Sequence, residues 1–343
     1  MELETIHSRL DQQLSPTLVQ QAMALIAPAQ RIALIAHEHP DGDCIGSALG
    51  MAHVLRQQGK ICVPACADPA PRVLSFMPGI ADLQQSLGDE SFDLVIALDA
   101  GELLRFGSLY AHHKAFLEQV PIVNIDHHIT SDGCGRVNII DPASAATAEL
   151  LVLFCLQAGL PLNKDAAICL LTGLITDTGS FQFSNTTPRC MEVAAELLRA
   201  GADTQTIVQP VYHTRPLAQA RFQALIMVNA RTSCEGRLIW SQATDETLAQ
   251  AGAIPEMDEN TSTMLHNIEG VQVAAFLKSY GEANVTRLSL RCSEPYNAGL
   301  ICQRISNGNG GGHPRAAGAT FFMPIEQATE LVVSELEKEL RGE

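Results

Sequence analysis

What this chain lacks narrows its chemistry before any motif is read. Basic residues are scarce: 22 Lys and Arg stand against 38 Asp and Glu, for a net charge of −16, and no Lys/Arg-rich run occurs. Proteins that track long nucleic acids carry a basic stripe whose contacts release counterions. An excess of that size leaves the outer surface acidic, and a short ligand gripped locally is expected rather than a polymer. No apolar run approaches the ~20 residues of a membrane span. The start, Met1-Glu-Leu-Glu-Thr-Ile-His7, lacks the basic-then-apolar signal pattern, so a cytoplasmic protein without a membrane partner is expected. The ten cysteines contain no C-x-x-C pair and read as small buried hydrophobes in a reducing cytosol. Aromatics are 5% of a chain that is 46% hydrophobic, which indicates an aliphatic α/β core. At 343 residues the chain exceeds a comfortable single core and suggests two domains.

The most informative residues present are Asp126-His127-His128, directly behind the apolar run Val120–Ile125. The run reads as a short buried strand, and strands of that type in α/β sheets place the residues behind them at the ligand-binding end of the sheet. An acid and two imidazoles there cost folding energy unless compensated, and a metal ion would compensate them. His112-His113, with no leading strand and no preceding acid, reads as a solvated helix face instead. Three other apolar runs end the same way. Arg31–Ala36 leads into His37, Asp41 and Asp43; Phe92–Leu98 leads into Asp99; Ala166–Ile175 leads into Asp177. A single acid such as Asp177 could be a helix cap, but four coincidences favour one shared polar site.

His37, Asp41, Asp43, Asp99, His127 and Asp177 supply four carboxylates and two imidazoles with no thiolate. That set suits Mn²⁺ or Mg²⁺ better than structural zinc. Six side chains exceed what one open catalytic ion needs and suffice for two, roughly 3.5–4 Å apart, an arrangement fitted to attack on phosphorus. Cys44, inside the first cluster, is read as a buried hydrophobe and not as a nucleophile.

In order, His37-x-x-x-Asp41-x-Asp43, Asp99, Asp126-His127-His128 and Asp177 resemble the four motifs of the DHH phosphoesterases. Gly308–Gly318 resembles the glycine-rich signature of their associated DHHA1 domain. The resemblance spans nearly the whole chain. It implies that His37, Asp41 and Asp99 hold one metal and that Asp43, Asp99, His127 and Asp177 hold the other, with Asp99 as bridge. It further implies that His128 meets the substrate phosphate and that Asp126 orients the histidines. Asn309 departs from the family's run of glycines, a departure that Asn's tolerance of left-handed backbone makes mild.

Expected strands at 31–37, 61–67, 93–99 and 121–126 alternate with helical patterns over Ser47–Gln58, Ala145–Ala158, Lys164–Thr176 and Thr187–Ala200. This predicts a parallel sheet with helices on both faces in residues 1–200, followed by a linker over 201–224 punctuated by Pro210 and Pro216. Residues 225–343 read as a smaller mixed-sheet α/β domain, with strands at 237–241, 271–277 and 285–290 and a final amphipathic helix over Ile325–Leu340. There Gly310, Gly311 and Gly312 would let backbone N–H groups approach an anion, with His313 as an added donor; a plain glycine-rich turn is the competing reading. The resemblance makes Arg291 a phosphate partner, against the alternative of an exposed strand-end arginine, and Arg315 is similarly open. It also implies that chemistry occurs at one phosphate while the second domain holds another part of the ligand.

The compact two-domain form is similar to the nanoRNase and pAp-phosphatase branch. It lacks the added nucleic-acid domain of the longer RecJ-type exonucleases and the basic Ser-Arg-Lys-Lys-type motif of family II pyrophosphatases. The implied activity is a Mn²⁺-dependent phosphodiesterase cutting short oligoribonucleotides, pGpG foremost, to mononucleotides. A phosphatase acting on 3′-phosphoadenosine 5′-phosphate (pAp) is the first alternative, and a non-catalytic nucleotide sensor the second. A homodimer is compatible with all three.

Overall fold

Four nearly unbroken aliphatic runs and one alternating strand build the first sheet. β1 (Arg31–Ile35), β2 (Ile61–Ala65), β3 (Leu94–Leu98), β4 (Ile122–Asp126) and β5 (Val137–Ile140) pair in the order β2-β1-β3-β4-β5, and every pairing is parallel. The residues of β3 and β4 are buried throughout, as expected of strands covered on both faces. The computed structural model describes residue 10 and residues 13–88, 91–282 and 284–342. The chain folds as two units, Met1–Thr214 and Arg215–Glu343.

The first unit also contains helices α1 (Pro16–Ile26), α2 (Gly42–Gln57), α3 (Gly107–Leu117), α4 (Thr147–Ala158), α5 (Lys164–Asp177), α6 (Pro188–Arg199) and α7 (Thr204–Tyr212). The reversal of strand order falls between β1 and β3, and such a switch point opens a crevice at the carboxyl ends of the strands. His37 follows β1, Asp99 follows β3 and His127 follows β4, so the topology alone delivers three motifs to one place.

The fourth motif arrives by helix packing. Gly42, Gly46 and Gly50 lie four residues apart along α2 and face α5. A Cβ on Gly46 would overlap the Cys169 carbonyl oxygen, one on Gly42 the Thr176 side chain, and one on Gly50 would stand 2.6 Å from Leu170 Cγ. Reciprocally, a Cβ on Gly173 of α5 would stand 2.5 Å from Asp43 Oδ1. The small residues let the two backbones approach closely, which brings Asp43 at the start of α2 beside Asp177 at the end of α5.

The four strands expected in the first unit are present, each one or two residues shorter than its expected span. Helix α1 and strand β5 had no counterpart in the sequence reading, and α3 was read only at His112-His113. His112 lies exposed on α3 with His113 half-buried beside it, as the solvated-face reading expected. The segment 201–224 is not irregular. It contains α7, with Pro210 inside it, and the start of α8 (Leu217–Val228), and the division between units falls at 214/215.

The second unit holds a six-stranded mixed sheet in the order β10-β11-β9-β8-β7-β6. Its strands are β6 (Arg231–Ser233), β7 (Leu238–Thr244), β8 (Val273–Ser279), β9 (Thr286–Cys292), β10 (Gly310–His313) and β11 (Ala316–Phe321). Only β7 and β8 pair in parallel. The remaining helices are α9 (Asp245–Ala251), α10 (Thr261–His266), α11 (Ala298–Ile305) and α12 (Ile325–Arg341). Leu238, Val273, Leu290, Ile301, Phe321 and Leu336 belong to one core under α11 and α12. Among the described residues no helix is long and apolar enough to cross a membrane.

Candidate metal centre

Each of the four expected ligand acids sits where an element begins or ends, a place where a carboxylate can leave the apolar layer and keep its hydrogen bonds. Asp41 caps α2, its Oδ1 accepting from the N–H groups of Asp43 and Cys44 at 3.0 Å each. Asp43, fully buried, accepts from the N–H groups of Thr147 (2.6 Å) and Ala148 (2.9 Å) at the start of α4. Ser47 Oγ adds a third donor at 3.3 Å. Asp99 adopts φ of 60°, a left-handed backbone that is uncommon for a side-chain-bearing residue and concentrates at functional sites. The Thr147 hydroxyl donates to Asp99 Oδ1 at 2.8 Å.

The six expected ligands converge. His37 Nε2 stands 3.3 Å from Asp99 Oδ2 and 3.8 Å from Asp41 Oδ2. His127 Nε2 stands 3.3 Å from Asp177 Oδ2, 3.5 Å from Asp99 Oδ1 and 4.0 Å from Asp43 Oδ2. The two oxygens of Asp99 therefore face different histidines. Potential ligand atoms of His37, Asp41, Cys44 and Asp99 form one group within 4.8 Å of one another, and those of Asp43, His127 and Asp177 form another.

Both histidines are turned by backbone carbonyls. His37 Nδ1 lies 2.7 Å from the Glu38 carbonyl oxygen and His127 Nδ1 lies 3.3 Å from that of Ser144. An Nδ1–H donated to a carbonyl leaves Nε2 as the nitrogen facing the acids, the usual orientation of a metal-ligating imidazole. His128 is wired differently. Its Nδ1 pairs with Asp126 Oδ1 at 2.7 Å, which commits that nitrogen and leaves Nε2 for something else. Asp126 also accepts from the His128 N–H at 3.2 Å, so it orients His128 rather than His127. Its other oxygen is buried without a partner.

The electrostatics are those of acids held together without enough positive charge. Burial, then Asp99 and Asp177, pushes the Asp43 carboxyl well above its ordinary range. Burial, then Asp99 and Asp41, pushes Asp177 up to about 8. Burial also acts on Asp99, but its hydrogen bond to His37 and the nearness of His127 and His128 outweigh it and hold that carboxyl low. The pairing with Asp126 raises His128. Like charges packed this closely cannot all ionise unless cations join them. The donor set therefore fits a pair of divalent ions, with carboxylates and imidazole nitrogens already aimed inward.

Burial, then Asp41 and Asp99, drives the Cys44 thiol well up, which disfavours the thiolate a nucleophile requires. All ten cysteines are free, and only Cys134 and Cys234 are less than fully buried.

Sequence reasoning missed the layer that holds these ligands. Arg189, on α6, pairs with Glu149 at 2.5 Å and Asp141 at 2.9 Å, while Glu149 Oε2 accepts from the Ala145 N–H at 2.8 Å. Asn185 Nδ2 donates to the carbonyls of Ala145 and Asp177, at 3.1 Å each. These contacts fix the approach to α4, whose first N–H groups hold Asp43. Thr147 and Glu149 follow Ala145-Ala146 at the head of an apolar helix, and the acid two residues behind the threonine was their only signal.

In the second unit, Arg291 lies near the end of β9 and donates to Thr263 Oγ1 at 3.2 Å. It is half-buried, and burial pushes its guanidinium pKa down, so it is not the plain exposed strand-end arginine. The glycine run is neither nest nor turn. Gly310–His313 is the edge strand β10, paired antiparallel with β11. Cβ atoms at Gly310 and Gly312 would come within 2.7 Å of β11 atoms, whereas Gly311 has open space at that position. His313 and Arg315 are exposed, and Arg315 pairs with Glu294 at 2.9 Å. Left-handed backbone falls on Asn307 and Gly308, not on Asn309, whose amide donates to the Ser306 carbonyl at 3.2 Å.

Comparison with known proteins matches this geometry to a family. The profile of the DHH family N-terminal domain matches residues 31–174 and that of the DHHA1 domain residues 242–342. The chain is 31% identical over 315 residues to the bifunctional oligoribonuclease and PAP phosphatase NrnA of Thermus thermophilus, covering 90% of each chain. It is 27% identical over 295 residues to the protein of the same description in Bacillus subtilis, covering 84% of this chain and 89% of the relative. Among solved structures, an exopolyphosphatase-related protein from Bacteroides fragilis superposes with a TM-score of 0.86 at 25% identity, covering 96% of this chain and 98% of the other. Exonuclease RecJ bound to manganese shares the fold, with a TM-score of 0.52 at 14% identity and 96% coverage of both chains. The chain belongs to the DHH family, with a DHHA1 domain, and is a hydrolase acting on phosphate esters.

Proposed function

We propose that the protein is a two-metal phosphodiesterase that hydrolyses linear dinucleotides such as pGpG, and very short oligoribonucleotides, to nucleoside monophosphates. The observation that carries this reading is Asp99, whose two oxygens face His37 and His127 respectively, the arrangement a bridging ligand needs. His37, Asp41 and Asp99 would hold one ion, and Asp43, Asp99, His127 and Asp177 the other. Mn²⁺ is favoured over Mg²⁺ by the two imidazoles. Such a pair supplies polarisation of a phosphoryl oxygen and a nucleophile at neutral pH.

The chain's own residues do the rest. Asp126 fixes the His128 imidazole through Nδ1 and favours its protonated form, so Nε2 can donate to the phosphate or to the departing oxygen. The α4 N–H groups hold Asp43 and the Thr147 hydroxyl holds Asp99, keeping both acids in place as the ions exchange. Arg291, Gly310, Gly311, Gly312 and His313 are assigned to a further part of the substrate, and the open space at Gly311 permits close approach to that backbone. The net charge of −16 favours short substrates over long strands. The reading includes a cytoplasmic enzyme and leaves room for a homodimer.

A pAp phosphatase is the second reading, favoured by the relatives' description as bifunctional. One chromatographic time course with Mn²⁺ separates them, comparing pGpG, pApA, a pentanucleotide, pAp and a long single strand. Fastest turnover of the dinucleotides is expected. Preference for the long strand sinks the short-substrate reading, and turnover of pAp alone leaves the phosphomonoesterase. His127→Ala should abolish hydrolysis, whereas His313→Ala should weaken substrate binding with metal content unchanged.

A further inference from the structure

Between Asp99 and α3 the chain makes one tight turn, Leu103–Phe106. Its backbone is tied to the first motif: the Glu38 N–H donates to the Arg105 carbonyl at 2.7 Å, and the Arg105 N–H donates to that of Glu102 at 3.1 Å. Glu38 directly follows His37, so the turn is anchored one residue from an assigned metal ligand. The Glu38 carboxylate itself packs over Gly107, where it would collide with any Cβ, and not against the neighbouring guanidinium.

Arg105 is exposed and has no ion pair or hydrogen bond from its side chain among the described residues. Arg56 pairs with Asp82, Arg189 with Asp141 and Glu149, and Arg199 with Glu196; Arg72 and Arg136 are also exposed without such a pair, but neither is carried on a turn bonded to the residue after His37. Yet Arg105 lies near enough to His128 for its charge to oppose protonation of that imidazole. A cation beside a cluster of acids that pairs with none of them is placed for a visiting anion. Charge balance says which one. Four ligand carboxylates against two dications leave the centre near neutral, so the negative charge of a phosphodiester, and the further charge developing as phosphorus is attacked, has no counterpart in the ligands themselves. His128 supplies one donor. A guanidinium supplies a planar fork that matches two phosphate oxygens.

We propose that Arg105 grips the non-bridging oxygens of the scissile phosphate, beside His128, and that its hold tightens as charge develops there. The inference rests on the phosphodiesterase reading and goes beyond it in naming the residue that neutralises the reacting phosphate.

The test compares the wild-type chain with Arg105→Ala and Arg105→Lys, on pApA and on ApA, which lacks the terminal phosphate. Arg105→Ala should lose about 10²–10³ in kcat/KM on both substrates, the size of removing one preorganised donor. Arg105→Lys should recover part of it. Manganese content and thermal midpoint should match wild type, since the side chain is exposed and unpaired. Inorganic phosphate, titrated calorimetrically into the Mn²⁺-loaded proteins, should bind at least 10-fold more weakly to Arg105→Ala. Unchanged kcat/KM and phosphate affinity overturn the proposal. A loss confined to pApA also overturns it, because Arg105 would then read the terminal phosphate, and so does a loss of bound manganese. Absence of turnover by the wild-type chain on either dinucleotide instead defeats the phosphodiesterase reading, and the phosphate titration still decides whether Arg105 holds the anion.

Discussion

Thr147 serves two ligands from one position: its N–H holds Asp43 and its hydroxyl holds Asp99. Thr147→Val keeps the shape and the N–H but deletes the donor to the proposed bridge. Groups of this kind, behind the ligands, typically contribute 10- to 100-fold in metal affinity, so Mn²⁺ should bind about that much more weakly in a calorimetric titration, with Thr147→Ser restoring it. An unchanged isotherm would show that Asp99 needs no such support. His128 gives a pH prediction. Asp126 raises its pKa, so the protonated form persists to higher pH and is lost as pH climbs through the raised value. Asp126→Asn removes the raising charge and should move the alkaline limb of the kcat profile to lower pH; a limb that stays in place means His128 does not act protonated. At this scale the sequence was legible for the ligands and mute on their supports. An acid behind an apolar strand is conspicuous, whereas Thr147, Asn185 and Arg189 resemble many other polar residues until folding brings them within reach of the acids.

The α2–α5 pair shows how an element sets a site it does not appear to contain. Gly42, Gly46 and Gly50 carry no chemistry, yet they fix the separation of the helices that bear Asp43 and Asp177. Gly46→Ala would drive a methyl into the Cys169 carbonyl. Overpacking of that kind costs on the order of 1–3 kcal/mol, measurable as a lowered urea midpoint, and should also weaken metal binding by spreading the two acids. Loss of stability with full metal affinity would mean the helices absorb the methyl elsewhere. Strands β1 to β4 were readable because burial on both faces demands continuous β-branched and aliphatic runs. β5 was not, since Val137–Ile140 alternates over only four residues, and α3 was read only at His112-His113, since it mixes His, Lys and Tyr with its apolar positions. The glycines of β10 read as a loop because glycine weakens strands; pairing with β11 overrides that preference, as close packing at Gly310 and Gly312 excludes any larger residue.

Across the first unit as a whole, the crowded acids link stability to pH and metal. Without cations Asp43 and Asp177 carry raised pKa values, the latter about 8. The folded state therefore binds protons that the unfolded chain releases above the ordinary carboxylate range. Metal-free stability should fall as pH rises from that range towards about 8, whereas added Mn²⁺ should raise the melting temperature more at about pH 8 than at about pH 6, because fewer protons must leave. A Mn²⁺ shift independent of pH would contradict the linkage. The sequence by itself determined the ligand chemistry, the parallel α/β class and the acidic surface, because residue type, apolar runs and net charge are properties of the chain. Only the tertiary structure decided that Asp99 faces two histidines, that Asp126 serves His128, that α4 clasps Asp43 and that Arg105 stands unpaired beside them. Apart from the local Asp126–His128 pair, those are relations between residues tens of positions apart, and nothing but the packing of strands and helices brings them together.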